Sequence, residues 1–462
     1  MSVMMSEQTS LEVAGKRVAV IGLGRSGLAA VRLLQHLGAR VAVADQKPSS
    51  DLTALLGGLP IGEMEIHGAG AYGSALRGAD LVVISPGVPL ALEPLQRVRQ
   101  AGVRIIGELE LASRHLTGRI LAVTGTNGKS TTATWIGELL RGAGYEPFVG
   151  GNLGMPLAEA ALASLDGKVW DLVVAEVSSF QLETIETFRP WIGAILNVTP
   201  DHLDRYPSMD AYAAAKLRLF ENQDDADYAI LNADDPWLSR SSVVSSGARI
   251  YFSRTRPVER GMFLDGDAII STLQGRREEI CRVGGLQVRG VHNIENAMAA
   301  AAVAALAGCP MDAIDRGLRA FRGLEHVVEV VRVFRGVAYI NDSKGTNVDA
   351  TIKALESVPA PVILIAGGRE KGGEYPGLAE AVRRKAKRVI LLGEARAHLR
   401  EILAGTCPLT EAASLADAVR AAAAAAVAGD TVLLSPACAS FDMFADYKDR
   451  GRQFKECVHE LG

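Results

Sequence analysis

The sequence predicts an α/β protein of three domains: an N-terminal Rossmann-like domain, a central P-loop ATPase-type domain built on a parallel sheet, and a C-terminal Rossmann-like α/β domain. Three observations predict it. The chain has 462 residues, and at roughly 100–200 residues per domain a single core would not hold it. Apolar runs alternate with stretches of helical period in three successive sets, the pattern of parallel strands joined by crossover helices. Glycine-rich or polar clusters close several of these runs, at the strand edge where open α/β sheets bind ligands.

The elements follow in order. Arg17-VAVIGLG reads as a strand entering a glycine turn, and Leu28 to Arg40 continues it with apolar residues at helical spacing. Arg40-VAVAD and Asp80-LVVIS are further strands, the latter running into Ser85-Pro86-Gly87-Val88-Pro89. A second set begins near Arg119, where ILAVTG leads into Thr126-Asn127-Gly128-Lys129-Ser130-Thr131 and a helix through Leu140. Asp171-LVVAEV, Ile192-GAILNV and Tyr228-AILN are its other strands. Between Ser241 and Arg289 the helical period fades and β-formers increase, which predicts short strands of unassigned register before a helix at His292-Asn293. A third set starts near Gly323, with strands at Val337-AYINDS, Pro361-VILIAGGRE, Arg388-VILLGE and Asp430-TVLLSPACAS. These changes divide the chain into 1–107, 108–323 and 324–462.

Composition narrows the function. With 48% hydrophobic and 22% charged residues the chain is a packed, water-soluble type, and a net charge of −4 offers no bulk positive field for nucleic acid or anionic lipid. Ala297–Gly308 and Ala421–Gly429 are the longest uncharged apolar stretches; both fall short of the ~20 residues a bilayer requires and read as buried helices, so no membrane insertion is expected. The N-terminus carries Glu7 and Glu12 without a continuous apolar core, unlike a secretory signal, and a cytoplasmic protein is expected. Cys281, Cys309, Cys407, Cys438 and Cys457 are widely spaced with no C-x-x-C, the pattern of small core residues rather than of disulfides or a zinc cluster. The chain is expected to act as a monomer.

Two glycine motifs carry chemistry. Gly22-Leu23-Gly24-Arg25-Ser26-Gly27 fits G-x-G-x-x-G between a strand and a helix, with Asp45 near the distance expected of a ribose-binding acid. Taken alone it suits a nicotinamide dinucleotide, a sugar nucleotide or a purely structural turn, because small residues let backbone N–H groups approach any diphosphate. Gly125-Thr126-Asn127-Gly128-Lys129-Ser130-Thr131 is more specific. It reads as a phosphate loop in which backbone amides cradle phosphates, Lys129 neutralises β/γ oxygens and the Ser130 hydroxyl faces Mg²⁺, although Val123 stands where the full pattern has glycine. Glu176 closes a strand in AEVSSFQ, as a magnesium-holding carboxylate or as a helix cap. Asn197-Val198-Thr199-Pro200-Asp201-His202-Leu203-Asp204-Arg205 gathers acids, a histidine and a cation directly after another strand.

Together with AAKLRLF, LNADD, HNIENAMAA, INDSKGTNVDAT and LLSPACASFDMFADYKDRGRQF, these motifs resemble the Mur ligase family, ATP-dependent enzymes that extend a cell-wall peptide stem on a UDP-sugar. The resemblance implies domains that bind, in order, the UDP-sugar, ATP, and the incoming amino acid with part of the ATP. It implies that Gly22–Gly27, Asp45, Ser85, Pro86 and Gly87 hold the UDP-sugar, with Asn152, Ser178 and Gln181 on its muramoyl and alanyl part. Lys129, Ser130 and Thr131 would take the ATP phosphates; His292, Asn293, Asn296, Asp342, Lys344 and Asn347 would complete the nucleotide side. Glu176 and His202 match positions where the family holds two Mg²⁺ ions, beside Ser130, and Lys216 matches a lysine the family carbamylates into a metal-binding carboxylate. Thr346, Lys371, Ser440, Phe441 and Tyr447 would receive the amino acid. The glycine unit and the SPACASFDMFADYKDRG run narrow the implied substrates to UDP-N-acetylmuramoyl-L-alanine, D-glutamate and ATP. Two positions depart from the family pattern: Val327 stands where a phosphate-binding Arg is common, for which Arg322 is a candidate substitute, and Arg369-Glu370 replaces a more usual acidic pairing. A nicotinamide oxidoreductase, a P-loop nucleotide switch and a folylpolyglutamate synthetase-like ligase each explain only part of this set.

Overall fold

The computed structural model describes residues 11–60, 64–152, 154–240, 245–288, 290–370, 375 and 377–462. Its strands form three sheets. The first contains β1 (Arg17–Ile21), β2 (Arg40–Ala44), β3 (Glu65–His67), β4 (Leu81–Ile84) and β5 (Arg104–Gly107), all parallel in the order β3-β2-β1-β4-β5. β4 is buried along its whole length and β1 and β2 along four of their five residues, as the unbroken Val/Ala/Ile runs require when helices cover both faces. The order reverses between β1 and β4, and the crevice there is the topological switch point. β3 and β5 were not expected from the sequence; both are short and begin on exposed residues, so their apolar signal is weak.

The central sheet has nine strands: β6 (Arg119–Thr124), β7 (Phe148–Gly151), β8 (Leu172–Glu176), β9 (Ile192–Ile195), β10 (Tyr228–Asn232), β11 (Ala248–Ser253), β12 (Gly261–Asp265), β13 (Ala268–Ser271) and β14 (Glu278–Arg282). They run in the order β14-β13-β12-β11-β10-β9-β6-β8-β7. The register missing for Ser241–Arg289 is now assigned within the described residues: β11 and β12 extend the parallel sheet, while β13 and β14 return antiparallel. β6 lies between β8 and β9, so their carboxyl ends meet at one edge.

Behind that edge, the helix Lys129–Gly142 packs on the helix Val291–Leu306, whose residues Ala297–Val303 are all buried. The expectation of a buried helix holds there. It fails for Ala421–Gly429: the helix Leu415–Ala425 ends within that stretch, and Val427 is 64% exposed. Its alanines alternate between the core and solvent, and alanine is apolar enough to mimic a buried run without needing burial. The five cysteines are free, three of them buried, in line with core residues.

The third sheet contains β15 (Glu329–Phe334), β16 (Val337–Asn341), β17 (Val362–Gly367), β18 (Ala386–Leu392), β19 (Leu409–Glu411) and β20 (Thr431–Leu434). The order is β15-β16-β20-β17-β18-β19, parallel except for the β15–β16 hairpin at one edge.

The sheets are joined unequally. One continuous apolar cluster runs from Val18, Leu33 and Leu34 of the first sheet layer to Leu157, Ala161 and Val173 of the second. The third sheet keeps its own clusters on its two faces, and among the described residues its strands share no apolar cluster with the central sheet. Directly after β5, Glu108, 1% exposed, accepts the Ala158 N–H at 2.6 Å at the start of the helix Leu157–Leu165. Burial pushes this carboxyl up to about 7 from an ordinary value of 4.5. The folded chain therefore holds the proton more tightly than the unfolded chain, and stability falls as pH rises through that window. Glu108→Gln should unfold at higher temperature than the parent at pH 8, by on the order of 1–3 kcal/mol of stability. In calorimetric scans this advantage should shrink at pH 5.5.

Candidate functional site

The first glycine turn is shaped by contacts that demand glycine at two positions and leave the third open. Gly22 has φ +88° and donates to the Ala44 carbonyl at 2.8 Å. A Cβ on Gly27 would lie 1.9 Å from the Gly22 carbonyl oxygen. A Cβ on Gly24 would meet nothing within 4 Å, so its bare backbone faces space a ligand can enter. Asp45 at the end of β2 accepts the Leu23 N–H at 2.7 Å and the Lys47 N–H at 3.1 Å, which braces the loop, and the Ser85 hydroxyl donates to the Gly22 carbonyl at 2.7 Å. The resulting cavity, about 360 Å³, brings Gly22, Gly24, Arg25, Ser26, Asp45, Ser85, Pro86 and Gly87 together with Tyr72. Leu23 is buried beneath it and contributes its backbone.

The second cavity, about 260 Å³, opens where the central sheet faces the third domain. The phosphate loop forms its floor. Gly128 has φ +87°, and a Cβ there would come within 2.3 Å of Asn296 Oδ1. Asn197, directly after β9, accepts the Thr126 and Asn127 N–H groups at 3.1 and 2.9 Å and donates to the Asn127 carbonyl at 3.1 Å. The Lys129 ammonium curls onto the Gly125 and Thr126 carbonyls at 2.9 and 2.8 Å. Ser130 donates to Glu176 Oε2 at 2.5 Å, and Asn152 donates to Oε1 of the same carboxylate at 2.8 Å. Glu176 is therefore a wall of the cavity and not a helix cap; Ser178 is the cap.

From below, Lys216 donates to the Gly125 carbonyl at 2.9 Å and lies 4.4 Å from the centre of the Tyr212 ring, 1% exposed. Burial, reinforced by the Lys129 charge, holds its amine well below the ordinary lysine range. From above, Lys344 reaches the Ser130 hydroxyl, and burial lowers it to about 8. Asp342 accepts the Ser435 hydroxyl at 2.7 Å, and burial raises it to about 7. Three lysines thus converge on one loop, with Glu176 and Asp201 as neighbouring acids, an arrangement suited to a polyanionic ligand. His202, at φ +56°, packs its ring edge-on to Phe180 at 4.7 Å, with Nε2 3.6 Å from Asp201 Oδ2.

Most sequence-derived candidates for the nucleotide converge here: Thr126 to Thr131, His292, Asn293, Asn296, Asp342, Lys344 and Asn347 line the cavity, with Glu176 and His202. Asn152 joins this group rather than the glycine-turn cavity. Ser178 and Gln181 lie outside the lining of both cavities and form a capping box that uses Gln181 Oε1 and leaves its buried Nε2 without a hydrogen-bond partner. Of the amino-acid candidates, Thr346 and Tyr447 line the cavity. Ser440 is buried outside its lining, Phe441 is 63% exposed, and Lys371 lies outside the described residues. Val327 lines the cavity, whereas Arg322 is exposed and is not among the lining residues.

The sequence reading placed Asn197 and Arg205 in a candidate cluster without saying what each contacts, and gave Asp349 no role of its own. Arg205 ties the first two domains: it donates to the Pro86 carbonyl at 2.8 Å, pairs with Glu183 at 2.6 Å and lies over the Phe180 ring at 4.0 Å. Polar residues directly after strands were the available signal, but it does not say which loop they reach. Glu325, His326 and Glu329 form a metal-type grouping among the described residues; the Lys455 ammonium already pairs with both glutamates at 2.9 and 2.8 Å.

A phosphate loop facing a buried glutamate, beside a separate glycine-turn pocket, is the equipment of a nucleotide-dependent enzyme with a second nucleotide-type substrate. The chain matches the MurD-like N-terminal domain of Mur ligases over residues 16–107, the Mur ligase middle domain over 123–304 and the glutamate ligase domain of Mur ligases over 328–438. It belongs to the Mur ligase family. It is 46% identical over 449 residues to the UDP-N-acetylmuramoylalanine--D-glutamate ligase of Pelotomaculum thermopropionicum, covering 96% of this chain and 98% of that protein. The identity to the protein of the same name from Syntrophotalea carbinolica is 44% over 455 residues, 97% and 99% of the two chains. Among solved structures, the UDP-N-acetylmuramate-alanine ligase of Thermotoga maritima aligns over 97% of this chain and 100% of its own, with TM-score 0.60 and 20% identity. The MurF ligase of the same organism in complex with ADP aligns over 98% and 97%, with TM-score 0.61 and 15% identity. These two share the three-domain α/β fold.

The glycine contacts separate folding from binding. Gly24→Ala should leave thermal stability within about 0.5 kcal/mol of the parent, while weakening the binding of a nucleoside diphosphate, the ligand class a bare glycine turn admits, by calorimetric titration. Gly27→Ala should lose on the order of 1–3 kcal/mol through the clash with the Gly22 carbonyl.

Proposed function

We propose that this protein is an ATP-dependent, ADP-forming ligase that joins D-glutamate to UDP-N-acetylmuramoyl-L-alanine in the synthesis of peptidoglycan precursors. The observation that carries it is the pairing of two nucleotide-type cavities at the carboxyl edges of adjacent sheets, in a chain 46% identical across nearly its whole length to a ligase of that name. A nicotinamide oxidoreductase would leave the phosphate loop unused, and a nucleotide switch would leave the glycine-turn cavity unused.

Making an amide from a carboxylate requires an activated acyl group. The L-alanyl carboxylate takes the γ-phosphoryl of ATP and ADP departs. The amine of D-glutamate attacks the acyl phosphate carbonyl, the tetrahedral adduct expels phosphate, and the amine proton passes to solvent. No enzyme nucleophile enters this sequence, so the protein's work is alignment and charge neutralisation. We assign Lys129 and Lys344 to the anionic oxygens of the triphosphate and the loop amides to its phosphates. Asn293 and Asn296 are assigned to the nucleotide, the glycine-turn cavity to the UDP moiety, and Thr346, Lys371, Ser440, Phe441 and Tyr447 to the amino acid. We take the domains as 1–107, 108–323 and 324–462, and the chain as a cytoplasmic monomer. No helix among the described residues is long and apolar enough to cross a membrane.

The donor set also suits magnesium: the Ser130 hydroxyl and Glu176 carboxylate are adjacent hard oxygen ligands, and His202 lines the same cavity. When bound, Mg²⁺ supplies further positive charge against the phosphates. A carbamylated Lys216 would add a second carboxylate, and the depressed amine of this buried lysine favours the neutral form that carbamylation needs.

Phosphate release by the purified protein with ATP and Mg²⁺ should require both UDP-N-acetylmuramoyl-L-alanine and D-glutamate, with L-glutamate a poor replacement; release indifferent to both would support a nucleotide switch. Lys216→Ala should be inactive and partly rescued by small anions, and ¹³C-labelled bicarbonate should give a carbamate resonance in the parent only. Absence of that resonance together with indifference to bicarbonate would return Lys216 to a plain structural role.

A further inference from the structure

The third domain shares no apolar cluster with the central sheet among the described residues, so its alignment depends on polar contacts across the nucleotide cavity. Several of these come from one short segment, the start of the helix Val348–Ser357 and the residues before it. Asn347 caps that helix through the Ala350 N–H at 2.8 Å, and its amide donates to Asp201 Oδ2 at 3.1 Å and Asn127 Oδ1 at 3.3 Å. Asp349, in the first turn, is more heavily engaged. Its Oδ2 accepts the Asn127 amide of the phosphate loop at 2.6 Å, the Thr199 hydroxyl at 3.0 Å and the Lys353 ammonium at 2.8 Å.

We propose that Asp349 is a positioning residue for the ligation step, a latch that fixes the third domain on the phosphate loop through Asn127 and Thr199. The inference rests on the ligase reading above. An acid in a first helical turn is ordinarily explained by the helix dipole and by an i,i+4 partner such as Lys353. Neither explains why the same oxygen is shared with two donors from another domain, and one of these donors, Asn127, belongs to the loop assigned to the ATP phosphates. Lys353 has a defined part: it offsets a carboxylate that would otherwise repel the triphosphate, leaving Asp349 as an acceptor for neutral donors. Because the latch joins the domain that brings the amine to the loop that holds the phosphoryl group, its loss acts on the meeting of the two and not on nucleotide capture.

In the full-length protein, Asp349→Ala and Asp349→Asn should lower kcat/KM for D-glutamate about tenfold or more, the scale of one charge-assisted hydrogen bond. ADP binding by titration should change less than about twofold, since a latch is not a nucleotide ligand. Thr199→Val should show the same split, and Thr199→Val combined with Asp349→Ala should be less than additive, as for residues sharing one contact. Without any substrate, hydrogen exchange should speed up in the Asp349→Ala protein over both 125–130 and 347–352. Equal losses in ADP affinity and D-glutamate kcat/KM would overturn the proposal in favour of a nucleotide-shaping role. Faster exchange confined to 347–352, or strict additivity, would reduce Asp349 to a helix-stabilising acid. A parent enzyme that does not turn over D-glutamate would instead refute the ligase reading, and the exchange experiment would still test the latch.

Discussion

The crowding of like charge around the Gly125–Lys129 loop is the constraint on which the rest of the structure depends. Lys129 folds onto the loop's carbonyls, Lys216 supports it from beneath and Lys344 reaches it from another domain. Burial lowers Lys216 and Lys344, each made worse by Lys129, so positive charge here is costly until an anion arrives. The protein keeps the arrangement by giving the ammonium groups carbonyl and hydroxyl partners and by holding Glu176 and Asp201 close. A site built this way is preorganised for a polyphosphate.

The unequal junctions follow from what each domain must do. The first and second share an apolar core and are braced by Arg205 on the Pro86 carbonyl, which suits two units held at a fixed distance. The third meets the central domain through hydrogen bonds at the cavity. Polar interfaces of that kind separate readily, whereas shared cores do not. The backbone beside the cavity fits this division: Gly323, His326 and Val328 all have positive φ between the second and third domains. A β-branched residue at φ +46° is strained, and such conformations persist where surrounding contacts hold them, here the Val328 N–H bond to Asp342 Oδ1 at 3.2 Å.

Local signals recovered much of the architecture. Continuous apolar strands, glycine turns and helical spacing are properties of neighbouring residues, so β1, β2, β4, β6, β8, β9, β10, β16, β17, β18 and β20 were all legible. β3, β5, β7, β15 and β19 were not: all five are edge strands, four of them span only three or four residues, and the six-residue β15 has no buried residue, so none gives a long apolar run. The alanine run ending at Gly429 misled for the opposite reason, being apolar by composition and half exposed in place.

The sequence by itself determined the sheet class, the two glycine turns and the phosphate-loop residues, since each is encoded within a few consecutive positions. Tertiary structure alone decided which distant groups share a site: that Asn152 and Ser130 meet on Glu176, that Asn197 holds the loop amides, and that Lys344 and Asp349 reach across from a different domain. Those contacts join residues 24 to 222 positions apart. They depend on strand order and domain placement, which no local pattern of side chains records.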